Sequence, residues 1–216
     1  MTFSLAMVAI VLLAMLAIRI LGGELVRGGH PGDGEMRQIV IGDEVLEVPG
    51  NLVRFAAQRR ATTLERLDLY MQWPQLQGYS QGAREAFNRP AVDSSIIFAT
   101  IEPRRMSLDM SRRIEPLYSK FFEGEEKNAG FGLKKRRLSE AAGFLDEDLY
   151  YEADNPYPFT ARCVRGETRF ATPYCMRDIH VGSDLTLTYR FHLSLISSWM
   201  ELDTAMRERI NAMLKD

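Results

Sequence analysis

The sequence predicts an α+β protein: an N-terminal transmembrane helix, then a mostly antiparallel sheet domain that ends in an amphipathic helix. An uncharged apolar run fills residues 3–18. Short runs in the middle of the chain alternate apolar and polar residues, which is the period of a half-buried strand. Near the C-terminus the period becomes 3.6 residues, that of a helix. We therefore divide the chain into an anchor (1–23), a Gly-rich tether (24–35) and a single globular domain (36–216).

The composition is that of a folded protein, with 46% hydrophobic and 26% charged residues among 216. Twenty-seven bases oppose 29 acids, so the formal net charge is -2. Nucleic-acid-binding domains usually carry a net basic face, and this balance gives no general attraction to nucleic acid. We therefore expect no nucleic-acid partner, although the balance is compatible with a local basic patch.

The predicted anchor contacts the lipid bilayer through residues 3–21. About twenty helical residues at 1.5 Å each span a hydrocarbon core of roughly 30 Å. Arg19 lies close enough to one end to reach the headgroups. A core helix of a soluble domain would show a polar stripe, which this run lacks. A cleaved signal peptide is the stronger rival, but no basic residue precedes the run and no small-x-small site follows it.

The orientation of the anchor rests on two signals that disagree. Arg19 and Arg27 follow the helix, and the positive-inside rule then favours a cytoplasmic domain. A two-residue N-terminal tail is more typical of a signal anchor whose N-terminus stays inside. These residues alone leave both orientations open.

Alternation, turn residues and prolines assign the elements of the domain in chain order. The first half is predicted to contain a hairpin (37–41 and 44–48), a short helix (52–58) and strands at 67–73, 95–101 and 106–110. The second half is predicted to contain a short helix after Pro116, a loop at 124–132, strands at 160–165, 170–181 and 184–192, and a helix at 195–214.

The closing helix is predicted to cover one face of the sheet. Its apolar stripe consists of Ile196, Trp199, Met200, Leu202, Met206, Ile210 and Met213. Its outward side is predicted to carry Glu201, Asp203, Arg207 and Glu208.

A long polar stretch, residues 75–93, is predicted to be a surface loop. Long loops often carry binding groups. Tyr79, Arg84 and Phe87 are the candidate binding residues in it.

Two charged runs lie close together in the second half of the domain. The basic run KKRR occupies residues 134–137, and an acidic run follows at residues 146–154. Pairing of the two runs across neighbouring strands explains them most simply. A calcium site in the acidic run is the alternative, but the DxDxDG pattern of a calcium loop is missing.

Familiar catalytic patterns are missing from the sequence. It contains no GxSxG, HExxH, Walker loop or GxGxxG. We assign no catalytic, cofactor-binding or metal-binding residue and expect no cofactor. A two-residue turn at Gly182-Ser183 would place His180 opposite Leu185 and His192 opposite Pro173. The two imidazoles would then lie roughly 20 Å apart, too far to share a metal.

The chain has two cysteines, Cys163 and Cys175. They are either two buried thiols or one disulfide, which needs an oxidising compartment. A shared register centred on Arg169 makes the disulfide feasible. A Cys-His pair of Cys175 with His180 is disfavoured, because residues five apart on one strand point to opposite faces.

Four segments, IGDEVLEVPGNLVRF, LDLYMQWPQLQGYS, GFLDEDLYYEADNPYPF and DIHVGSDLTLTYRF, carry a resemblance to a known group. Over nearly its whole length the chain resembles an uncharacterised family of bacterial single-pass, membrane-anchored envelope proteins. The resemblance implies the bacterial inner membrane and a periplasmic domain, and it thereby favours the disulfide. It implies no activity, ligand or catalytic residue.

Three hypotheses for function follow. The leading one is a non-catalytic module, tethered to the inner membrane, that binds another protein or assembles with itself. The second is an envelope enzyme with an unrecognised site in the 75–93 loop. The third is a cation- or ligand-sensing domain that uses the acidic run.

Overall fold

The structure is a computed structural model that describes residues 34–88, 94–153, 155–166 and 172–215. The whole predicted anchor and most of the tether lie outside these residues. Among the helices within them, none combines the length and hydrophobicity that crossing a membrane requires.

The described residues form ten strands and two α-helices, joined by short 3-10 helices. In chain order they are β1 (Met36–Ile41), β2 (Glu44–Pro49), β3 (Leu67–Gln72), α1 (Arg84–Asn88), β4 (Ile96–Pro103), β5 (Phe122–Gly130), β6 (Leu133–Leu138), β7 (Glu147–Glu152), β8 (Thr160–Val164), β9 (Tyr174–Val181), β10 (Leu185–His192) and α2 (Trp199–Asn211).

Eight of the strands form one sheet in the order β3-β4-β10-β9-β8-β7-β6-β5, and every neighbouring pair is antiparallel. Strands β1 and β2 form a separate hairpin. The predicted α+β fold, with a mostly antiparallel sheet and a C-terminal helix, is confirmed for this part of the chain.

The main core lies between one face of the sheet, the β1-β2 hairpin and helix α2. We call this side of the sheet the inner face and the opposite side the outer face. The helix buries Trp199, Leu202, Met206 and Ile210 in this core, and Met213, just after the helix, is buried with them.

The predicted orientation of the closing helix is wrong at two positions, one in its apolar stripe and one on its outward side. Met200 is 59% exposed, because it follows the buried Trp199 by one residue and so points about 100° away from it. Asp203, predicted to face outward, turns toward the sheet, where its side chain is only 15% exposed and pairs with Arg177.

The ladder between β8 and β9 has the fewest paired residues of the sheet. These strands pair only at Arg162↔Met176 and Cys163↔Cys175, whereas β9 and β10 pair along their whole length. A disulfide joins Cys163 to Cys175 across this short ladder, with their Cα atoms 4.0 Å apart. The covalent bond therefore fastens two four-stranded halves of the sheet where backbone pairing is weakest.

The predicted strand at residues 106–110 and the predicted helix at 52–58 are both wrong. Asp109 instead caps the 3-10 helix Met110–Arg113, because its side chain accepts a hydrogen bond from the Arg112 N–H. Between the 3-10 helices Gly50–Leu52 and Gln58–Arg60, Val53 forms an isolated bridge with Leu69 and residues 55–57 form a turn.

Most of the predicted loop at 124–132 is instead part of strand β5, which pairs with β6, and only residues 131–132 form a turn. Its glycines misled the prediction because they sit at irregularities of the ladder. Gly124 has a φ of +68°, and the register shifts between Glu123 and Lys127 and again before Gly130.

The predicted register of the β9-β10 hairpin is wrong by one position. Val181 pairs with Leu185, so the turn has three residues rather than two, and His180 lies opposite Thr186. The Glu44 carboxylate accepts a hydrogen bond from the Asp184 N–H at 2.7 Å and holds this longer turn. His192 lies opposite Tyr174, so the two histidines remain at opposite ends of the hairpin.

Removal of the disulfide is expected to lower the free energy of unfolding by about 3 kcal/mol. The bond closes a loop with a sequence separation of 12, and the lost chain entropy of the unfolded state sets this magnitude. The measurement is urea unfolding of the wild-type chain and of the Cys163→Ser/Cys175→Ser double variant.

Reductant supplies the control, since it should destabilise the wild-type chain by the same amount and leave the double variant unchanged. Equal urea midpoints for the oxidised and reduced wild-type chain would contradict this role of the disulfide.

Candidate functional site

The most buried charge of the described domain is Arg177 on β9, which is 1% exposed. Its Nε donates to Asp203 Oδ1 at 2.9 Å, and one Nη donates to the Ser111 hydroxyl and to the Thr160 carbonyl at 3.2 and 3.0 Å. One guanidinium thus ties helix α2, strand β8 and the 3-10 helix Met110–Arg113 to β9.

The counter-charge, Asp203, is held by three side chains. Tyr189 donates its hydroxyl at 2.7 Å and Arg207 donates Nε at 3.0 Å, in addition to Arg177. Burial raises the pKa of Asp203, but the positive charge and hydrogen bonds of Arg177 outweigh it and bring the pKa below its usual value. Burial likewise raises the pKa of Tyr189. These donors and acceptors are used within the protein, so the cluster acts as a structural clamp.

The acidic run is dispersed between the two faces of the sheet. Strand β7 points Asp148 to the inner face, where Lys135 and Arg165 lie 3.8 and 3.3 Å away. It points Glu147 to the other face, where Arg162 lies 3.4 Å away. The predicted pairing of the basic and acidic runs is confirmed, since β6 pairs with β7 and Arg137 lies opposite Asp148.

The distribution of these acids over two faces is relevant to the hypothesis that the acidic run binds a cation. Within the described residues, no group of three or more His, Cys, Asp or Glu side chains is placed to hold a metal ion. Asp154, which belongs to the acidic run, lies outside those residues.

The predicted binding loop covers the sheet instead of standing free. Tyr79 is 2% exposed, contrary to its predicted surface position. Its backbone N–H donates to the Asn51 carbonyl at 3.0 Å, and the Asn51 side-chain amide donates to the Tyr79 carbonyl at 3.1 Å, which holds the segment against the sheet. Phe87, on α1, packs edge-on against Tyr70 with the ring centroids 4.8 Å apart and also contacts Tyr79. Arg84 is exposed and separate from this cluster. Residues 89–93 of the loop lie outside the described residues.

Next to the segment that carries Tyr79 and Phe87, arginine and aromatic side chains alternate across the outer face. We call this set the arginine–aromatic row: Arg54, Phe98, Arg190 and Tyr174. The Cζ atoms of Arg54 and Arg190 lie 4.7 and 5.3 Å from the centroid of Phe98. Arg190 also lies 5.2 Å from the centroid of Tyr174. The Phe98 ring is therefore in contact with two guanidinium groups.

Strand register builds this row from separate segments. Arg190 on β10 lies directly opposite Phe98 on β4, and Tyr174 enters from β9. Arg54 is fixed at the sheet edge because its backbone N–H donates to the Asp68 carbonyl at 2.9 Å. The four side chains consequently cross the sheet from its β3 edge toward its middle.

The row borders a groove of about 260 Å³ on the outer face. Three guanidinium groups and one carboxylate line the groove, those of Arg54, Arg66, Arg190 and Asp68. The carboxylate is already committed, because Asp68 accepts hydrogen bonds from Arg66, Thr100 and Gln58 at 2.7 to 3.1 Å. Burial raises the pKa of Asp68, but these hydrogen bonds outweigh burial and lower it overall.

The two arginines of the row have no such partner. Among the described residues, no carboxylate oxygen lies within 4.0 Å of the guanidinium nitrogens of Arg54 or Arg190. Larger depressions of about 460 and 610 Å³ contain ion pairs such as Lys135 with Asp148 and Lys134 with Glu126, and another of about 460 Å³ contains the exposed Arg84. The row therefore offers charge that the described fold does not neutralise.

The two edges of the sheet are poor sites for strand addition. On the β3 edge, the Asp68 N–H donates to Gln58 Oε1 at 3.0 Å and the Gln72 N–H donates to the Gln77 carbonyl at 2.8 Å. The β5 edge is bulged and charged, which discourages pairing with another strand. The outer face is therefore more accessible to a partner than either edge.

Sequence reasoning missed the row because its residues come from four segments and form no motif. The usable signal was alternation: Phe98 and Arg190 lie on the non-core side of β4 and β10. The cross-strand register that brings them together depends on pairing between segments some ninety residues apart, and no local pattern encodes it.

Comparison with known proteins identifies the fold. No protein-family model matches the chain, and no curated protein matches its sequence. Among solved structures, an immunity protein of the Stenotrophomonas maltophilia type IV secretion system is similar with a TM-score of 0.59 and 15% identity, over 87% of this chain and 96% of that one. The Neisseria meningitidis iron-regulated outer membrane lipoprotein FrpD has a TM-score of 0.49 and 11% identity, over 85% and 96%. At 15% identity the first similarity shows a shared fold.

The pH dependence of stability tests the Arg177–Asp203 clamp. The folded-state pKa of Asp203 lies below its ordinary 3.8, so its contribution is present above about pH 4 and is lost as the pH falls below 3.8. Asp203→Asn should lower the free energy of unfolding at pH 7 by about 3 kcal/mol, because it leaves Arg177 buried without a counter-charge. It should also flatten the acid limb of the profile, measured by urea unfolding between pH 7 and pH 2.5.

Glu201→Gln is the matched control, since Glu201 is an exposed acid on the same helix. It should change neither the stability at pH 7 nor the acid limb. Parallel acid limbs for the wild-type chain and Asp203→Asn would contradict the assignment.

Proposed function

We propose that this chain is a non-catalytic protein-binding module of the bacterial envelope, held at the inner membrane by residues 3–21 with its domain in the periplasm. The observation that carries the binding role is the outer groove, where Arg54 and Arg190 flank Phe98 without a carboxylate partner among the described residues. Arginine and aromatic side chains are the groups most enriched at energetically important positions of protein interfaces.

Three further features support this proposal. The groove is open on one side, as a docking face is, and its groups are donors and rings that bind rather than groups arranged as a nucleophile and a base. The Cys163–Cys175 disulfide suits an oxidising compartment such as the periplasm. The apolar run before the domain suits a membrane anchor, which raises the local concentration of the module for partners in the envelope.

The shared fold favours a narrower candidate within this function. One protein with this fold is an immunity protein of a type IV secretion system. We propose an immunity role for this chain as well, in which the partner is a secreted effector and the module binds it at the membrane.

A reporter fusion tests the location. Alkaline phosphatase, which is active only in an oxidising compartment, is fused after Asp216 of the intact chain, and a second fusion carries a reporter that is active only in the cytoplasm. We expect an active phosphatase and a silent cytoplasmic reporter. The reverse result would place the domain in the cytoplasm and remove the compartment argument for the disulfide.

Site-specific photocrosslinking tests the binding role. A benzoyl-phenylalanine replaces Thr188, which lies in the outer groove, or Thr204, which lies on the exposed side of α2 as the matched control. We expect one discrete adduct from Thr188 in intact cells and none from Thr204. The captured protein, once purified, should bind the purified chain with 1:1 stoichiometry.

The identity of the captured protein separates the variants of the proposal. A secreted effector supports the immunity role, a resident envelope protein contradicts it but supports a binding module, and a second copy of the chain supports an assembly module. The absence of an adduct at Thr188, or equal adducts at both positions, would contradict binding through the outer groove.

A further inference from the structure

We infer that the arginine–aromatic row recognises two carboxylates of an extended acidic segment in the partner protein. This inference rests on the proposed function and names the chemistry of the partner at the same site. Three features of the row support the inference: its charge, the donors that remain available, and the spacing of the two arginines.

The charge of the row calls for an anion. Arg54 and Arg190 contact the same half-buried Phe98 ring, so two like charges lie close together at the exposed surface. Like charges repel, and the cation–π contacts with the ring offset only part of this repulsion. An anion in the groove lowers the energy of both guanidinium groups together, which is a gain that a neutral partner cannot provide.

The arginines keep the donors that such a partner needs. A guanidinium that lies near an aromatic ring still presents its N–H groups at its rim, and these fit the two oxygens of a carboxylate. Both arginine side chains are exposed, so those donors are accessible to a partner. The ring reduces the rotamer freedom that each arginine would lose on binding, because it already holds the guanidinium in place.

The spacing of the arginines selects the shape of the segment. Their Cζ atoms lie 4.7 and 5.3 Å from the Phe98 centroid, so they are at most about 10 Å apart. An extended strand advances about 3.3 Å per residue. Carboxylates two residues apart, which point to the same side of an extended segment, therefore reach both arginines.

The groove between the arginines suits such a segment. Thr188 and Thr100 lie opposite each other on β10 and β4, and Met176 lies beside them. The Thr188 hydroxyl can bond to a peptide backbone, while Met176 offers an apolar contact. The row and these groove residues together match a peptide with acidic side chains better than a bare phosphate.

Binding of defined peptides tests the inference. The probe is a fluorescent ten-residue L-glutamate peptide, with a ten-residue glutamine peptide as the neutral control. The protein is the intact chain in detergent, and anisotropy is recorded at 50 and 300 mM NaCl. We expect saturable binding of the glutamate peptide that weakens with salt and no binding of the glutamine peptide.

Two matched double variants separate the row from general electrostatics. Arg54→Gln/Arg190→Gln should weaken binding at least about tenfold, since two charge-assisted contacts are lost. Arg105→Gln/Lys120→Gln removes the same charge from exposed positions outside the groove and should leave the affinity within about twofold.

Variants of the ring test its positioning role. Phe98→Leu keeps an apolar side chain but removes the aromatic face that holds the guanidinium groups, and it should weaken peptide binding at least about threefold. Phe98→Tyr keeps that face and should bind as the wild-type chain does. Circular dichroism of each variant confirms that it is folded.

Several outcomes would overturn the inference. These are equal weakening by both double variants, equal binding of the two peptides, or row-dependent binding of phosphatidylglycerol vesicles in place of the glutamate peptide. The inference would also be overturned if the crosslinker at position 188 captured the partner equally well with and without Arg54→Gln/Arg190→Gln. That result would leave the proposed function intact. If benzoyl-phenylalanine at position 188 of the otherwise wild-type chain gave no adduct, the proposed function itself would be contradicted.

Discussion

The arrangement of the whole described domain depends on the junction between β8 and β9. Backbone pairing there is limited to two residue pairs, so the two halves of the sheet need other links. The disulfide supplies one link and the buried guanidinium of Arg177 supplies the other, through Thr160 on β8 and Asp203 on α2. Because the guanidinium is buried and charged, it tolerates only the arrangement that satisfies it, and this fixes where helix α2 docks.

The docking of α2 in turn decides which surface of the sheet is left for a partner. The helix and the β1-β2 hairpin occupy the inner face over β3, β4, β10 and β9. The segments that follow β3 and β4 cover the two ends of the outer face, with Tyr79 and Phe87 at one end and Met110 and Tyr118 at the other. The groove with the arginine–aromatic row lies in the uncovered part between them. The surface that we propose for partner binding thus follows from the way the core is closed.

The fold could be predicted from the sequence to the extent that local periodicity encodes it. Alternation identified β3 and β10, a short apolar run identified β4, and the period of 3.6 identified α2. Where glycines interrupt a ladder, as in β5, the local pattern indicated a loop and was wrong. Where alternation was an accident of composition, as at 106–110, a capping carboxylate from Asp109 decided the structure.

The candidate site was beyond sequence reasoning for a related reason. Composition gave a balanced chain, yet the fold gathers three arginines and one committed carboxylate around a single groove. Tyr79, which looked like a loop residue, is buried because Asn51, far away in the chain, binds its backbone. Asp203 looked like a surface acid because the partner that draws it inward, Arg177, lies on another element. In each case a contact between distant segments, which local propensity does not contain, set the outcome.

The central claim is that a partner protein binds the outer groove through the arginine–aromatic row. Its most direct test is NMR of the arginine side-chain Nε–H resonances of the isotope-labelled chain while the captured partner is added. We predict that the resonances of Arg54 and Arg190 shift and saturate at one equivalent, whereas those of Arg84 and Arg209 stay in place. Shifts confined to arginines outside the groove, with Arg54 and Arg190 unchanged, would contradict the claim.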